Sequence, residues 1–115
     1  MELNEYQKQA MTTCMPTSEN FSYMFLNLVG EVGEFASKVA KAIRKDDVSI
    51  YDNDYCSRLG VSDEELKKEA GDILWQLSGL CTVMGWSLED VAQQNLDKLA
   101  SRKERNVIDG SGDNR

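Results

Sequence analysis

The chain predicts an all-α, four-helix bundle-like fold, and three observations carry that prediction. Apolar residues recur at spacings of three and four along most of its 115 residues. Helix-breaking and helix-capping residues (Pro16, Ser18, Ser62, Gly85, Ser87) fall between the periodic stretches. No low-complexity linker divides the chain, so four helices with short connections and one longer loop read as a single domain over 1–115. A chain of this length builds one core but not two.

From the N-terminus, Leu3 to about Thr13 predicts a short first helix, and Pro16 forbids its continuation through Met15. Ser18 is the candidate N-cap of a long second helix. Phe21, Phe25, Leu28, Val32, Phe35, Val39 and Ile43 form its expected core stripe. From Asp46 to Gly60 the periodicity fails and Asp, Asn and Ser gather, which predicts a loop of about 15 residues, a length usually tied to function or mobility. Ser62 followed by Glu65 is a capping box that opens a third helix. Its inward residues are expected to be Leu66, Ala70, Ile73, Leu77, Leu80, Cys81 and Met84, with Gly85 as its stop. Ser87 caps a fourth helix from Leu88 to about Glu104, with Val91, Ala92, Leu99 and the stem of Lys103 facing inward. The Gly- and Asp-rich tail, 106–115, reads as irregular.

Composition narrows the function. With 41% hydrophobic and 29% charged residues the chain is neither disordered nor a membrane protein. Its N-terminus is acidic where a signal peptide would be basic, which predicts a cytoplasmic protein. The net charge of −7 argues against a nucleic-acid polymer as partner. Cys14, Cys56 and Cys81 are odd in number and lack C-x-x-C spacing, so neither a disulfide framework nor a cysteine zinc site is indicated. The absence of histidine removes triads and the common zinc and iron sites, so any metal is held by oxygen.

Two stretches repeat one pattern: Glu31-Val32-Gly33-Glu34 and Glu69-Ala70-Gly71-Asp72. Residues three apart on a helix lie side by side, so each stretch presents two carboxylates together. Set from Leu28 and from Leu66, the two pairs fall at matching angles beside the apolar stripe. Facing helices would bring four like charges together, a cluster that a cation makes tolerable and whose ligands suit Mg²⁺ or Mn²⁺. The bland alternative is two solvated acidic faces. Gly33 and Gly71 each cost the helix about 1 kcal/mol against Ala, and close approach of another helix is the expected reason. Asn95, Lys98, Arg102 and Arg105 form a donor stripe on the fourth helix, suited to polyphosphate if it is not merely solvated surface. Lys38 continues the acidic face of the second helix.

G-E-V-G-E, E-A-G-D-I-L-W, N-L-D-K-L-A-S-R-K-E-R and the ending G-S-G-D-N-R together resemble the MazG-like nucleoside triphosphate pyrophosphohydrolases, from about Leu26 to Arg115. The resemblance implies assembly as homodimers or homotetramers, and Mg²⁺-dependent cleavage of a (deoxy)nucleoside triphosphate to monophosphate and pyrophosphate, with nucleotide-pool housecleaning as the corresponding role. It implies Glu31, Glu34, Glu69 and Asp72 as metal ligands and catalytic acids, and Asn95, Lys98 and Arg102 on the phosphates or sugar, with Arg105 and Lys38 as further candidates. Gly30 stands where many relatives carry an acid, and Asn106 where Gly is expected. Related all-α dUTP hydrolases and the phosphoribosyl-ATP pyrophosphatase use similar acidic helices, so the substrate stays open. A non-catalytic helical interaction module with a structural cation is the alternative reading. Tyr6, Phe25, Asn27, Trp75 and Trp86 are candidates to select a base, with Trp75 equally suited to a subunit interface.

Overall fold

The computed structural model describes residues 1–46 and 63–115. Among them are four helices, α1 (Leu3–Met11), α2 (Phe21–Asp46), α3 (Asp63–Val83) and α4 (Leu88–Glu104), with a 3₁₀ turn at Pro16–Ser18. The chain is all-helical there, as its periodicity predicts. The predicted loop beyond Asp46, the Ser62 cap and Cys56 lie outside the described residues.

Helix ends follow local chemistry. Pro16 opens the 3₁₀ turn instead of a break between two helices, and this moves the cap of α2. Asn20, not the predicted Ser18, accepts from the Tyr23 amide at 2.8 Å. At the end of α3, Gly85 takes a positive φ of 73°, while Trp86 N donates to Cys81 O and Gly85 N to Thr82 O. That is a Schellman closure. The end of α4 repeats it with Asn106 at φ 60°, Val107 N donating to Arg102 O and Asn106 N to Lys103 O. Asparagine tolerates the left-handed region, so it replaces the expected glycine without changing the turn. Ser87 caps α4 as predicted, its Oγ accepting from Asp90 N.

α3 is the central helix, packed against α2 on one side and α1 on the other. Its Glu69, Ile73, Gln76 and Leu80 share one face, whereas Gly71, Trp75, Ser78 and Thr82 share the opposite one. Trp75 pins the end of α1: its indole Nε1 donates to Ala10 O and Thr13 Oγ1, both at 3.0 Å. Gln7 ties α1 to the α3–α4 turn, donating to Thr82 Oγ1 and Trp86 O and accepting from the Leu88 amide at 2.8 Å. That last bond satisfies one of the amides left unpaired at the start of α4.

The predicted stripe of α2 is displaced. Met24 and Ala42 are its buried residues, and with half-buried Leu28, Glu31, Phe35 and Lys38 they fall within about 40° of one line on the helix. Phe21, Phe25 and Val32, expected inside, are 52%, 47% and 49% exposed. They lie on a second apolar face, rotated about 60–100° from the first, which α3 does not reach. On α3, Leu66 and Cys81 are buried as predicted, but Ala70 and Met84 are exposed. On α4, Leu88 and Arg102 are buried, and Val91, Leu99 and Lys103 are not.

Gly33 and Gly71 do not mark a close helix contact: a Cβ at either meets nothing within 4 Å. The crowded glycine within a helix is Gly79, where a Cβ would fall on the fully buried Met24 thioether. Gly79→Ala should therefore destabilise the protein by about 1–3 kcal/mol through overpacking. Gly33→Ala and Gly71→Ala should each be neutral or stabilising by up to about 1 kcal/mol. Urea unfolding of the three variants checks both signs.

Candidate metal and anion site

The acidic residues of α2 and α3 meet because the two helices pack along the stripes that carry them. Glu31 stands between Leu28 and Phe35 on α2, and Glu69 between Leu66 and Ile73 on α3. One carboxylate oxygen from each of Glu31, Glu69 and Asp72 lies within 4.8 Å of the others. Glu34 remains exposed beyond this trio, close enough to act on Glu31 and Lys38 by charge alone.

Packing leaves these acids short of partners. Glu31 Oε2 and Glu69 Oε2 are enclosed and have no hydrogen-bond donor. Burial, followed by the Asp72, Glu34 and Glu69 charges, raises the Glu31 carboxyl above its usual range, and a hydrogen bond with Asn27 pulls the other way. On the other oxygen of Glu69, Lys38 Nζ sits at 2.9 Å. That bond, reinforced by the Glu65 and Glu34 charges, raises the Lys38 ammonium in turn. Tyr6 of α1 is drawn in as well: burial and the Asp72 charge raise its hydroxyl.

Behind the acids lies a pair of amides. Asn27 Nδ2 donates to Gln76 Oε1 at 2.7 Å, and the Gln76 side chain is buried against Met24. Asn27 is one turn before Glu31 and Gln76 one turn after Asp72, so each amide shares its helix face with an acid. That spacing is the signal that marks Gln76, which sequence reasoning missed.

Two orphaned carboxylate oxygens beside a third acid call for a cation. An all-oxygen donor set fits a hard divalent ion, and it fits poorly as a solvated acidic face, since the unpartnered oxygens are shut away from water. Arg102 and Lys98 of the donor stripe are brought together elsewhere, on Asp113 of the tail. Asn95 and Lys98 line a shallow cavity of about 300 Å³ with Val91 and Gln94. Arg105 donates to Ser101 Oγ and to Arg115 O. The arrangement thus offers a cation seat between α2 and α3 and a cationic stripe along α4. No described helix is long and apolar enough to cross a membrane.

Residues 19–107 match the family described as the MazG nucleotide pyrophosphohydrolase domain. The chain is 44% identical over 98 residues to the Gene 37 protein of Mycobacterium phage L5, an alignment that covers 84% of this chain and 78% of that protein. No solved structure matches.

A carboxyl whose pKa is raised by folding holds its proton more tightly in the native state, so stability falls as pH rises through and above the ordinary glutamate range. Glu31→Gln should remove that loss and raise the melting temperature of metal-free protein at neutral pH. The same variant should lose the melting-temperature increase that added Mn²⁺ gives the wild-type protein. Scanning calorimetry with and without the ion reads both effects.

Proposed function

Because this chain belongs to the family of MazG nucleotide pyrophosphohydrolase domains, we propose that it hydrolyses a nucleoside or deoxynucleoside triphosphate to the monophosphate and pyrophosphate. Mg²⁺ is the proposed cofactor, with Mn²⁺ as a substitute. The observation that carries this reading is the convergence of Glu31, Glu69 and Asp72 with two enclosed oxygens lacking any partner.

In the proposed mechanism Glu31, Glu69 and Asp72 would hold the cation, and Glu34 would add negative charge beside Glu31. The bound ion supplies neutralisation of the triphosphate oxygens and of the charge that grows on them. Lys38, held beside Glu69, stands where it can meet a phosphate oxygen. Asn95, Lys98 and Arg102, with Arg105 at the end of the stripe, supply further donors. A carboxylate of the Glu31/Glu34 pair takes a proton from the water that attacks the α-phosphorus, and pyrophosphate leaves. Asn27 and Gln76 hold the carboxylate face in place, which makes them positioning residues.

Assembly into a homodimer or homotetramer belongs to the same proposal. The exposed face of α2 carries Phe21, Phe25, Leu26, Val29 and Val32, with the first two rings stacked at 5.8 Å. A contiguous apolar face of that kind is costly in water and is usually covered. A second copy of the chain is the proposed cover, and it supplies walls for a nucleotide that a single chain lacks.

Glu69→Ala and Asp72→Ala should each lower kcat at least about a hundredfold, the loss expected when a metal ligand worth several kcal/mol is removed. Helix content should be unchanged. Pyrophosphate release from a panel of canonical, deoxy and modified nucleotides checks this; cation binding without release from any of them would favour the interaction module instead. Val29→Glu should convert the assembled protein to monomer, and an unchanged mass by light scattering would place the interface elsewhere.

A further inference from the structure

The tail is not irregular in the sense its composition suggests. Arg115 donates to the main-chain oxygens of Val107, Ile108 and Gly112, and Arg105 donates to Arg115 O at 2.7 Å. These bonds fold 107–115 back against the end of α4. There Lys98 and Arg102, one turn apart, reach the same atom: Asp113 Oδ1 lies 3.3 Å from Lys98 Nζ and 3.1 Å from Arg102 Nη2. Arg102 Nη2 also lies within reach of Gly112 O and Asp113 O.

The exposures of this cluster are lopsided. Arg102 is 5% exposed, whereas the Asp113 side chain is 83% exposed, so the carboxylate lies on the solvent side of an enclosed guanidinium. Arg102 Nε is buried without an acceptor. The two cations lower the Asp113 carboxyl below its usual range, as expected of an anion seated between them. Two cations on one oxygen, with a donor left over, is a seat built for more acceptor oxygens than one carboxylate supplies.

We propose that Asp113 is an internal stand-in for a substrate phosphate: it fills the anion seat of Lys98 and Arg102, and a polyphosphate enters by displacing it and loosening the tail from α4. This rests on the reading above that these two residues hold substrate phosphate. A polyphosphate carries more charge and more acceptors than the carboxylate. Because Asp113 is exposed, the contact it must surrender is weak, and its competition is correspondingly modest, about two- to fivefold in affinity.

Calorimetric titration of tripolyphosphate onto the full chain, without divalent ions, tests this. Asp113→Asn should bind about two- to fivefold more tightly than wild type. Equal or weaker affinity, or no binding to either protein, overturns the proposal. In the wild-type chain, amide nitrogen relaxation at Gly112 and Asp113 should report greater mobility when tripolyphosphate is bound; unchanged or reduced mobility overturns it independently of the variant. Pyrophosphate release from nucleotides, measured separately, judges the catalytic reading. Activity with unchanged anion affinity in Asp113→Asn removes only the inference about Asp113, and competitive anion binding without activity removes only the catalytic reading.

Discussion

The structure depends on two glutamates at a helix interface, Glu69 buried and Glu31 half-buried, each with an enclosed oxygen that lacks a partner. Glu31 and Glu69 sit in the stripes by which α2 and α3 pack, where an apolar side chain would be the stable choice. Burying like charges together opposes folding, and Lys38 offsets it at only one of the four glutamate oxygens. The rest of the site follows from that tension. Asn27 and Gln76 pair behind the acids, so that the polar groups flanking the carboxylates are themselves satisfied. Glu31 Oε2 and Glu69 Oε2 remain without partners, and a divalent cation is the species proposed to relieve them.

The helices are arranged to hold that interface. α3 presents opposite faces to α2 and α1, and α1 is fastened by side-chain hydrogen bonds made by its own Gln7 and donated to it by Trp75 more than by a large apolar contact. Among the described residues few large apolar side chains are therefore buried, and Met24 and Cys81 are the largest apolar ones fully enclosed. A cramped junction between Gly79 and Met24 sets how closely α2 can approach α3. The cationic end of α4 is closed by its own tail, with Asp113 on both Lys98 and Arg102.

Much of this was legible in the sequence, and the failures have physical causes. The four helices of the described residues, the Gly85 stop, the Ser87 cap and the span of α4 follow from local backbone chemistry, which neighbours do not change. The face of α2 was misjudged because its apolar surface is wider than one neighbour can cover. Periodicity then favours the stripe with the largest residues, Phe21, Phe25 and Val32, over the one that packs. The glycines were misassigned for a related reason: Gly33 and Gly71 lie beside the acids, yet only three-dimensional packing reveals that Gly79 is the one under a neighbour. The matched acid pairs were readable, but that Glu34 stands outside the close trio depends on the rotation of α2, which sequence spacing alone does not set. Gln76 carries a weak signal, an amide one turn from Asp72, and the Asp113 contact carries none, because a Gly-rich tail has no periodicity to read.

The central claim is that Glu31, Glu69 and Asp72 form a single divalent-cation seat. Crystals grown with Mn²⁺, examined by anomalous scattering at the manganese edge, test it most directly. The account predicts an anomalous peak bounded by carboxylate oxygens of these three residues. Mn²⁺ density confined to other acidic groups, with the trio lacking a peak, would contradict it.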